Sequence, residues 1–366
     1  MRVETLRSLL EQGHPITILD VRPEPERQDW AIPNSLFFPG LYEAVNQGNE
    51  QALDAVALPT DQLIVVVCGA GKTSQRVAAL LRARGYQAES LEGGMRAWSF
   101  AWSVARTVLA DGTVLYQVRR VGKGCLSYLL VAGGKALIID PAIDAVVFAQ
   151  LAAAEGAQII GVAETHLHAD HLSRAPQLVT RFGVPRYLGV STRAHFPVIP
   201  LDDGATITIG PTTLRVLATP GHTWESISFW HPAGAVFTGD TLFLEGIGRV
   251  DLEAHSDEAL HRAQALVRSL QRLQALPAET LVFPGHTAQP PRFDGQPLCA
   301  SLGTLREHLP LLQVEPSALV DHLLAHQPEP PAHFAEIVAL NLAGAAIDDP
   351  EQLATLEAGA NRCAVR

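Results

Sequence analysis

Two rhythms of apolar and polar residues divide the chain. In the first hundred residues, short apolar runs alternate with longer mixed stretches. ITILDV from Ile16 and LIVVVC from Leu63 have the length and β-branched content of buried strands. TSQRVAALLRARG places its apolar residues at helical spacing and stops at Gly85. Strands separated by helices predict a small parallel α/β domain. After Trp98 and Trp102 the rhythm shortens. LSYLLV, ALIID, QIIGVA, ITIG, LRVLA, SISFW, AVFT and LVF read as strands, and longer helices are expected over 142–155 and 256–276. Sheets flanked by helices predict an α/β sandwich. The expected division is a first domain over 1–105, a linker over 106–113 containing the Asp111-Gly112 turn, a second domain over 114–345 and a tail over 346–366. From AHQPEPPAHF onward the chain reads as helices broken by proline.

Composition narrows the setting. The 366 residues suit about two domains at ~150 residues each. With 47% hydrophobic and 18% charged residues, each domain can bury a core. A formal charge of -11 argues against a nucleic-acid partner, which requires a basic face. The N-terminal MRVETLRSLLEQGHP carries charges throughout and does not read as a signal peptide. No apolar run approaches the ~18 residues of a membrane span. Four cysteines without a CxxC pair fit free thiols in a reducing compartment, so a cytoplasmic globular protein is expected. Cys125 and Cys299 read as small apolar residues. Cys363, in GANRCAV, reads as an ordinary late cysteine, the alternative being a reactive thiol on a mobile arm.

THLHADH, residues 165–171, packs three imidazoles and a carboxylate directly after an apolar run. The same regularity recurs downstream. QIIGVAET leads into His166, LRVLATPG into His222, AVFTG into Asp240 and ETLVFPG into His286. Four strands that each deliver a ligand-type residue at their end converge on one sheet edge, where rigid elements can hold a metal. Isolated surface histidines explain the other nine of the fourteen, but not this pattern.

The constellation resembles the metallo-β-lactamase superfamily, with its HxHxDH motif and later His, Asp and His. The resemblance implies an αββα sandwich with the site at one edge. TPGHT (219–223), TGDTLF (238–243) and GIGRVDL (246–252) are most similar to the persulfide dioxygenases within that superfamily. That resemblance implies one Fe(II) per chain held by His166, His222 and Asp240, a facial triad suited to oxygen activation. It leaves His168, Asp170, His171 and His286 as groups orienting ligands and water, or as the second metal site of hydrolase relatives, which use zinc. The GRxD stretch assigns Arg249 and Asp251 to substrate binding, Arg249 clamping a substrate carboxylate, with a surface Arg–Asp pair as the alternative.

Cys68 opens the stretch CGAGKTSQR between a strand and a helix. Backbone N–H groups and the positive end of the helix dipole favour a thiolate there. The stretch, with ITILDVRPEPE and LEGGMRAW, resembles a single rhodanese domain. Cys68 is then the persulfide carrier, on an active-site loop formed by Gly69, Ala70, Gly71, Lys72, Thr73 and Ser74. The usual segment before the second strand is altered to Trp30-Ala31-Ile32-Pro33-Asn34-Ser35.

Together the resemblances imply a fused sulfur-handling enzyme. The rhodanese domain would take sulfane sulfur from thiosulfate or mercaptopyruvate. The second domain would oxidise glutathione persulfide, or a similar low-molecular-weight persulfide, to sulfite with O₂. Neither nucleic acid nor membrane is expected as a partner, and a homodimer is allowed. Two alternatives stand beside this reading: a zinc or mixed-metal thioester hydrolase of the hydroxyacylglutathione hydrolase type, and a rhodanese module acting only as sulfur carrier or sensor.

Overall fold

LIVVV has no polar position because both of its faces are covered. In the computed structural model, which describes residues 1–191, 193–359 and 361–366, strands β1 (Ile16–Asp20), β2 (Leu36–Phe37), β3 (Leu63–Val67) and β4 (Ala88–Ser90) form a parallel sheet in the order β2-β1-β3-β4. Along β3, Ile64 and Val66 pack with Val77 and Leu81 of the helix Lys72–Ala83, while Val65 and Val67 pack with Leu6 and Trp98 on the other face. A parallel strand with helices on both sides reads as a continuous apolar run.

The second region is two sheets face to face. The first contains β5 (Ser103–Val108), β6 (Val114–Arg119), β7 (Leu126–Ala132), β8 (Lys135–Ile139), β9 (Gln158–Ala163), β10 (Arg186–Gly189) and β11 (Ile199–Leu201), in reverse chain order. The second contains β12 (Thr206–Ile209), β13 (Thr212–Ala218), β14 (Ile227–His231), β15 (Ala235–Gly239), then β17 (Leu281–Pro284) and β18 (Ala300–Ser301). A two-residue strand between them in sequence, β16 (Ile247–Gly248), pairs elsewhere. Tyr128, Leu130, Leu137 and Ile139 meet Val216, Phe229, Phe237 and Phe283 in the core between the sheets. Outside the first sheet lie the helices Ala145–Ala154 and Ala175–Phe182; outside the second lies Ser256–Gln274. That last helix buries Ala259, Ala263, Leu266, Leu270 and Leu273, a stripe at helical spacing, and carries Asp257 and Glu258 in its first turn, where the dipole favours them. The layers are αββα.

Two boundary expectations need correction. Residues 106–108 are not linker: β5 pairs with β6 from Ser103↔Arg119 to Val108↔Val114, so the sandwich begins before the expected boundary and the Asp-Gly turn closes a hairpin. Nor is 346–366 detached. The helix Pro350–Leu356 is capped by the Asp349 side chain, and β19 (Ala364–Val365) pairs with β16. Arg96 of the first domain donates to Thr355 at 2.6 Å. The altered segment has a structural use too: Trp30 Nε1 donates to the carbonyl of Val121 at 3.0 Å, docking the first domain on the loop that leads to Cys125. No helix among the described residues is long and apolar enough to cross a membrane.

Candidate functional site

His166, His222 and Asp240 leave the ends of β9, β13 and β15 and meet at one buried point. Each has one polar atom tied to the protein and another left over. Thr165 Oγ1 donates its one proton to Asp140 Oδ2 at 2.8 Å, so at 2.9 Å from His166 Nδ1 it must accept. That puts the His166 proton on Nδ1 and the lone pair on Nε2. His222 Nδ1 donates to the carbonyl of Arg249 at 2.9 Å, which likewise frees Nε2. Asp240 Oδ1 accepts from His286 Nδ1 at 2.8 Å. The remaining atoms, the two Nε2 and Asp240 Oδ2, gather within 4.8 Å of one another. His166 Nε2 and Asp240 Oδ2 are buried and have no hydrogen-bond partner among the described residues. Orphaned polar atoms this deep call for a ligand.

Electrostatics leaves these groups in ligand form. Burial, with His168 beside it, holds His166 well below the ordinary histidine range, and burial lowers His222 too, so both imidazoles are neutral. Burial alone would raise the Asp240 carboxyl, but His286, kept protonated between Asp170 and Asp240, overcomes it and keeps the group ionised. Two neutral imidazoles and a carboxylate suit a divalent ion such as Fe(II) or Zn(II). Glycine is required for the approach: a Cβ on Gly285 would stand 2.5 Å from Asp240 Oδ1.

The other four candidates cluster beside this group. His286 Nε2 lies 2.9 Å from Asp170 Oδ2, so this imidazole spans two carboxylates with both nitrogens. His171 Nδ1 contacts Asp170 Oδ1 at 3.0 Å. His168 packs its ring 4.2 Å from that of His166 and 4.3 Å from that of His171; neither of its nitrogens has a hydrogen-bond partner among the described residues, and neither belongs to the converging triad.

Two cysteines read as unremarkable lie here. Cys125 Sγ is 3.5 Å from Asp170 Oδ2 and shares a buried cluster with Asp170, His171 and His286. Burial and Asp170 push its thiol up, but His171 and His286 outweigh them and bring it down to about 6. Cys363 is fully buried with Asp240 and His286, so the mobile arm is excluded. Burial, with Asp240 and Asp170, pushes its thiol well above the usual range. Asn341 was missed altogether. Its side chain donates to the carbonyls of His168 and His171 at 2.8 and 2.9 Å and accepts from the Ser173 amide, fixing the HADH turn. Only a fold that returns the helix Phe334–Ala343 to this loop could reveal it.

Arg249 requires a correction. It is fully buried, and all five of its donors are used. Nε and Nη2 grip Asp251 at 2.8 and 2.6 Å, while Nη1 and Nη2 also donate to the carbonyls of Pro328, Glu329 and Arg362. No donor is left for a substrate carboxylate. The Arg249–Asp251 pair instead positions the carbonyl that orients His222.

In the first domain, Cys68 Sγ accepts from the amides of Gly71 at 3.1 Å and Ser74 at 3.4 Å, and the Ser74 hydroxyl lies 3.3 Å away. Gly69 and Ala70 begin the turn and Gly71 caps the helix that Lys72, Thr73 and Ser74 open. The GG pair packs directly beneath: a Cβ on Gly94, at φ +58°, would meet the Cys68 carbonyl at 2.2 Å. The Asp-x-Arg motif is a buried ion pair, Arg22 Nη2 to Asp20 Oδ2 at 2.7 Å, and Arg22 also donates to the carbonyls of Glu26 and Trp30.

Fold and site thus define an αββα metal-binding sandwich behind a rhodanese-like α/β domain. The rhodanese-like domain family matches residues 2–101, and the metallo-beta-lactamase superfamily matches 120–286. A hydroxyacylglutathione hydrolase from Methylococcus capsulatus is 34% identical over 53% of this chain and 75% of its own length. One from Chromohalobacter salexigens is 38% identical over 42% of this chain; only 58% of that relative's length is spanned. Among solved structures, a metallo-beta-lactamase from Staphylococcus aureus gives a TM-score of 0.59 at 28% identity, over 65% of this chain and 74% of that one. ETHE1 from Myxococcus xanthus gives 0.53 at 27% identity, over 66% of this chain and 98% of that one. The chain belongs to the metallo-β-lactamase superfamily and carries a rhodanese-like domain at its N-terminal side.

Proposed function

We propose that the protein is a sulfur-handling enzyme in which Cys68 carries sulfane sulfur and one Fe(II), held by His166, His222 and Asp240, serves oxidation of a low-molecular-weight thiol persulfide to sulfite. The observation that carries this reading is the convergence of two imidazoles and one carboxylate, each oriented by its own neighbour, with His168 not among them and both nitrogens of His286 engaged by carboxylates. Such a triad leaves positions open for a thiol and for dioxygen.

At Cys68, the sulfur attacks the outer sulfur of the donor. The donor's bond to that sulfur breaks, and the protein persulfide lies among the amides of Gly71 and Ser74. A carrier thiol then takes the outer sulfur and leaves as its own persulfide. In the second domain, persulfide, O₂ and water give the parent thiol and sulfite. The outer sulfur loses four electrons, dioxygen gains them, and the S–S bond breaks. When bound, ferrous iron supplies oxygen activation. The protein's part is to fix Nε2 of His166 through Thr165 and Asp140, to fix His222 through the Arg249 carbonyl, and to hold protons on His286 between Asp170 and Asp240.

A second reading, thioester hydrolysis with zinc, is favoured by the relatives named hydroxyacylglutathione hydrolase and by the adjacent Cys125–Asp170–His171–His286 cluster. Protein purified without oxygen separates the two. The first reading expects one iron per chain and oxygen uptake with glutathione persulfide. Two metals per chain and rapid hydrolysis of an S-acylglutathione without oxygen uptake would establish the second.

A further inference from the structure

A cavity of about 670 Å³ lies where the two domains meet. One wall is Arg27–Ala31 of the rhodanese-like domain; the others are 288–290, 326–328 and the chain from Asn361. Its volume suits a small organic ligand. Arg27, Arg362 and Arg366 face it against Asp29, with Glu329 paired to Arg362 from outside the lining, and amides come from Gln28, Gln289 and Asn361. In a chain of charge -11, a cavity with this cationic surplus marks a place for an anion.

Neither guanidinium is saturated. Arg27 donates through Nη2 to the Ser35 carbonyl and its Nε is buried, which leaves Nη1 as the donor open to a ligand. Arg362 pairs with Asp29 at 3.2 Å and Glu329 at 2.6 Å, and it is 35% exposed while its partners are more so. Exposed pairs of this kind are weak and exchange readily for a ligand carboxylate. Beside the cavity, a narrow recess between Phe243 and Asn361 runs to His286. Ala288, Asn361 and Ala364 line both spaces. His286 in turn bonds Asp240, so the cavity stands next to the metal-ligand group.

We propose that this shared cavity binds the carboxylate-bearing end of a peptide-like thiol, with Arg27 of the rhodanese-like domain completing the substrate site of the metal-binding domain. The inference rests on the reading that the second domain acts on a low-molecular-weight thiol derivative. It assigns the anion-binding role once expected of Arg249 to Arg27 and Arg362. It also gives the fusion a function without transfer between sites: the first domain forms one wall of the second domain's substrate site.

The test is equilibrium binding of S-methylglutathione to the full chain by calorimetry, which requires no turnover. The parent should bind it in a salt-sensitive manner and bind the diethyl ester at least about tenfold more weakly. Arg27→Gln with Arg362→Gln should raise Kd about tenfold or more for the acid and little for the ester, with metal content unchanged. Arg27→Lys should fall between, since it keeps the charge but loses the fork. Equal binding of the acid by parent and double variant overturns the inference, as does failure of the parent to bind it at millimolar concentration. A parent that binds S-methylglutathione through these arginines yet takes up no oxygen with glutathione persulfide would leave the cavity assigned and refute the dioxygenase reading instead.

Discussion

Glu357 lies in the stretch that looked like a tail, yet its carboxylate is fully buried between two arginines. Oε2 accepts from Arg120 Nη1 at 2.5 Å, Oε1 lies 3.1 Å from Arg174 Nη2, and Oε1 also accepts from the Leu172 amide at 2.8 Å. Arg120 continues to the Ser99 carbonyl at 2.7 Å, so one side chain joins the first domain, the metal loop and the final segment. Burial alone would raise the carboxyl, but Arg120 and Arg174 overcome it and hold it down from 4.5 to about 2. At ~1.36 kcal/mol per pH unit that depression corresponds to about 3 kcal/mol of stability. Because the folded value is the lower one, this contribution is present above pH 4.5 and is lost as pH falls toward 2. Glu357→Gln keeps the shape but leaves Arg120 buried without its counter-charge, a change that costs ~3–5 kcal/mol. Urea unfolding at pH 7 should show that loss, and the gap between parent and variant should narrow steadily between pH 5 and pH 3. Metal affinity should fall as well, because the Leu172 amide follows His171, whose contacts run through Asp170 and His286 to Asp240. A variant within about 1 kcal/mol of the parent at pH 7, or a gap that ignores pH, would refute the argument.

Other sites give further expectations. His166→Ala, His222→Ala or Asp240→Ala should each abolish metal binding and oxygen uptake while leaving Cys68 able to form a persulfide; full metal occupancy in any of them, by elemental analysis, would dismantle the triad. Cys68→Ser should eliminate sulfur transfer and leave oxidation of supplied glutathione persulfide nearly unchanged, because serine cannot form a persulfide; an oxygen electrode decides. Arg249→Ala should destabilise the protein by ~3–5 kcal/mol and weaken metal binding, as Asp251 and three carbonyls lose their donor. A purely KM effect with metal content intact would restore the substrate clamp.

What the sequence disclosed and what it concealed follow from the range of the interactions. LIVVV, LSYLLV and QIIGVA announce strands because a fully buried strand is apolar at every position, a property local to the run. His166, His222, Asp240 and His286 were legible because each follows an apolar run within a few residues, and strand ends converge whenever the strands share a sheet. Arg249 misled for a related reason. Its neighbour Asp251 was visible, but the carbonyls of Pro328, Glu329 and Arg362 that saturate its fork come from 79 to 113 residues away. Cys363, Asn341 and Glu357 were opaque for that same reason: no local pattern says that a proline-broken segment will return to the metal loop. Side chains with no signal of their own thus complete a site whose ligands are plain in the sequence. The chemistry is written at strand ends, while its positioning depends on where the last forty residues come to rest. Trp30 extends that logic across the domain boundary, since the departure from the rhodanese pattern that begins there bonds to Val121 of the other domain.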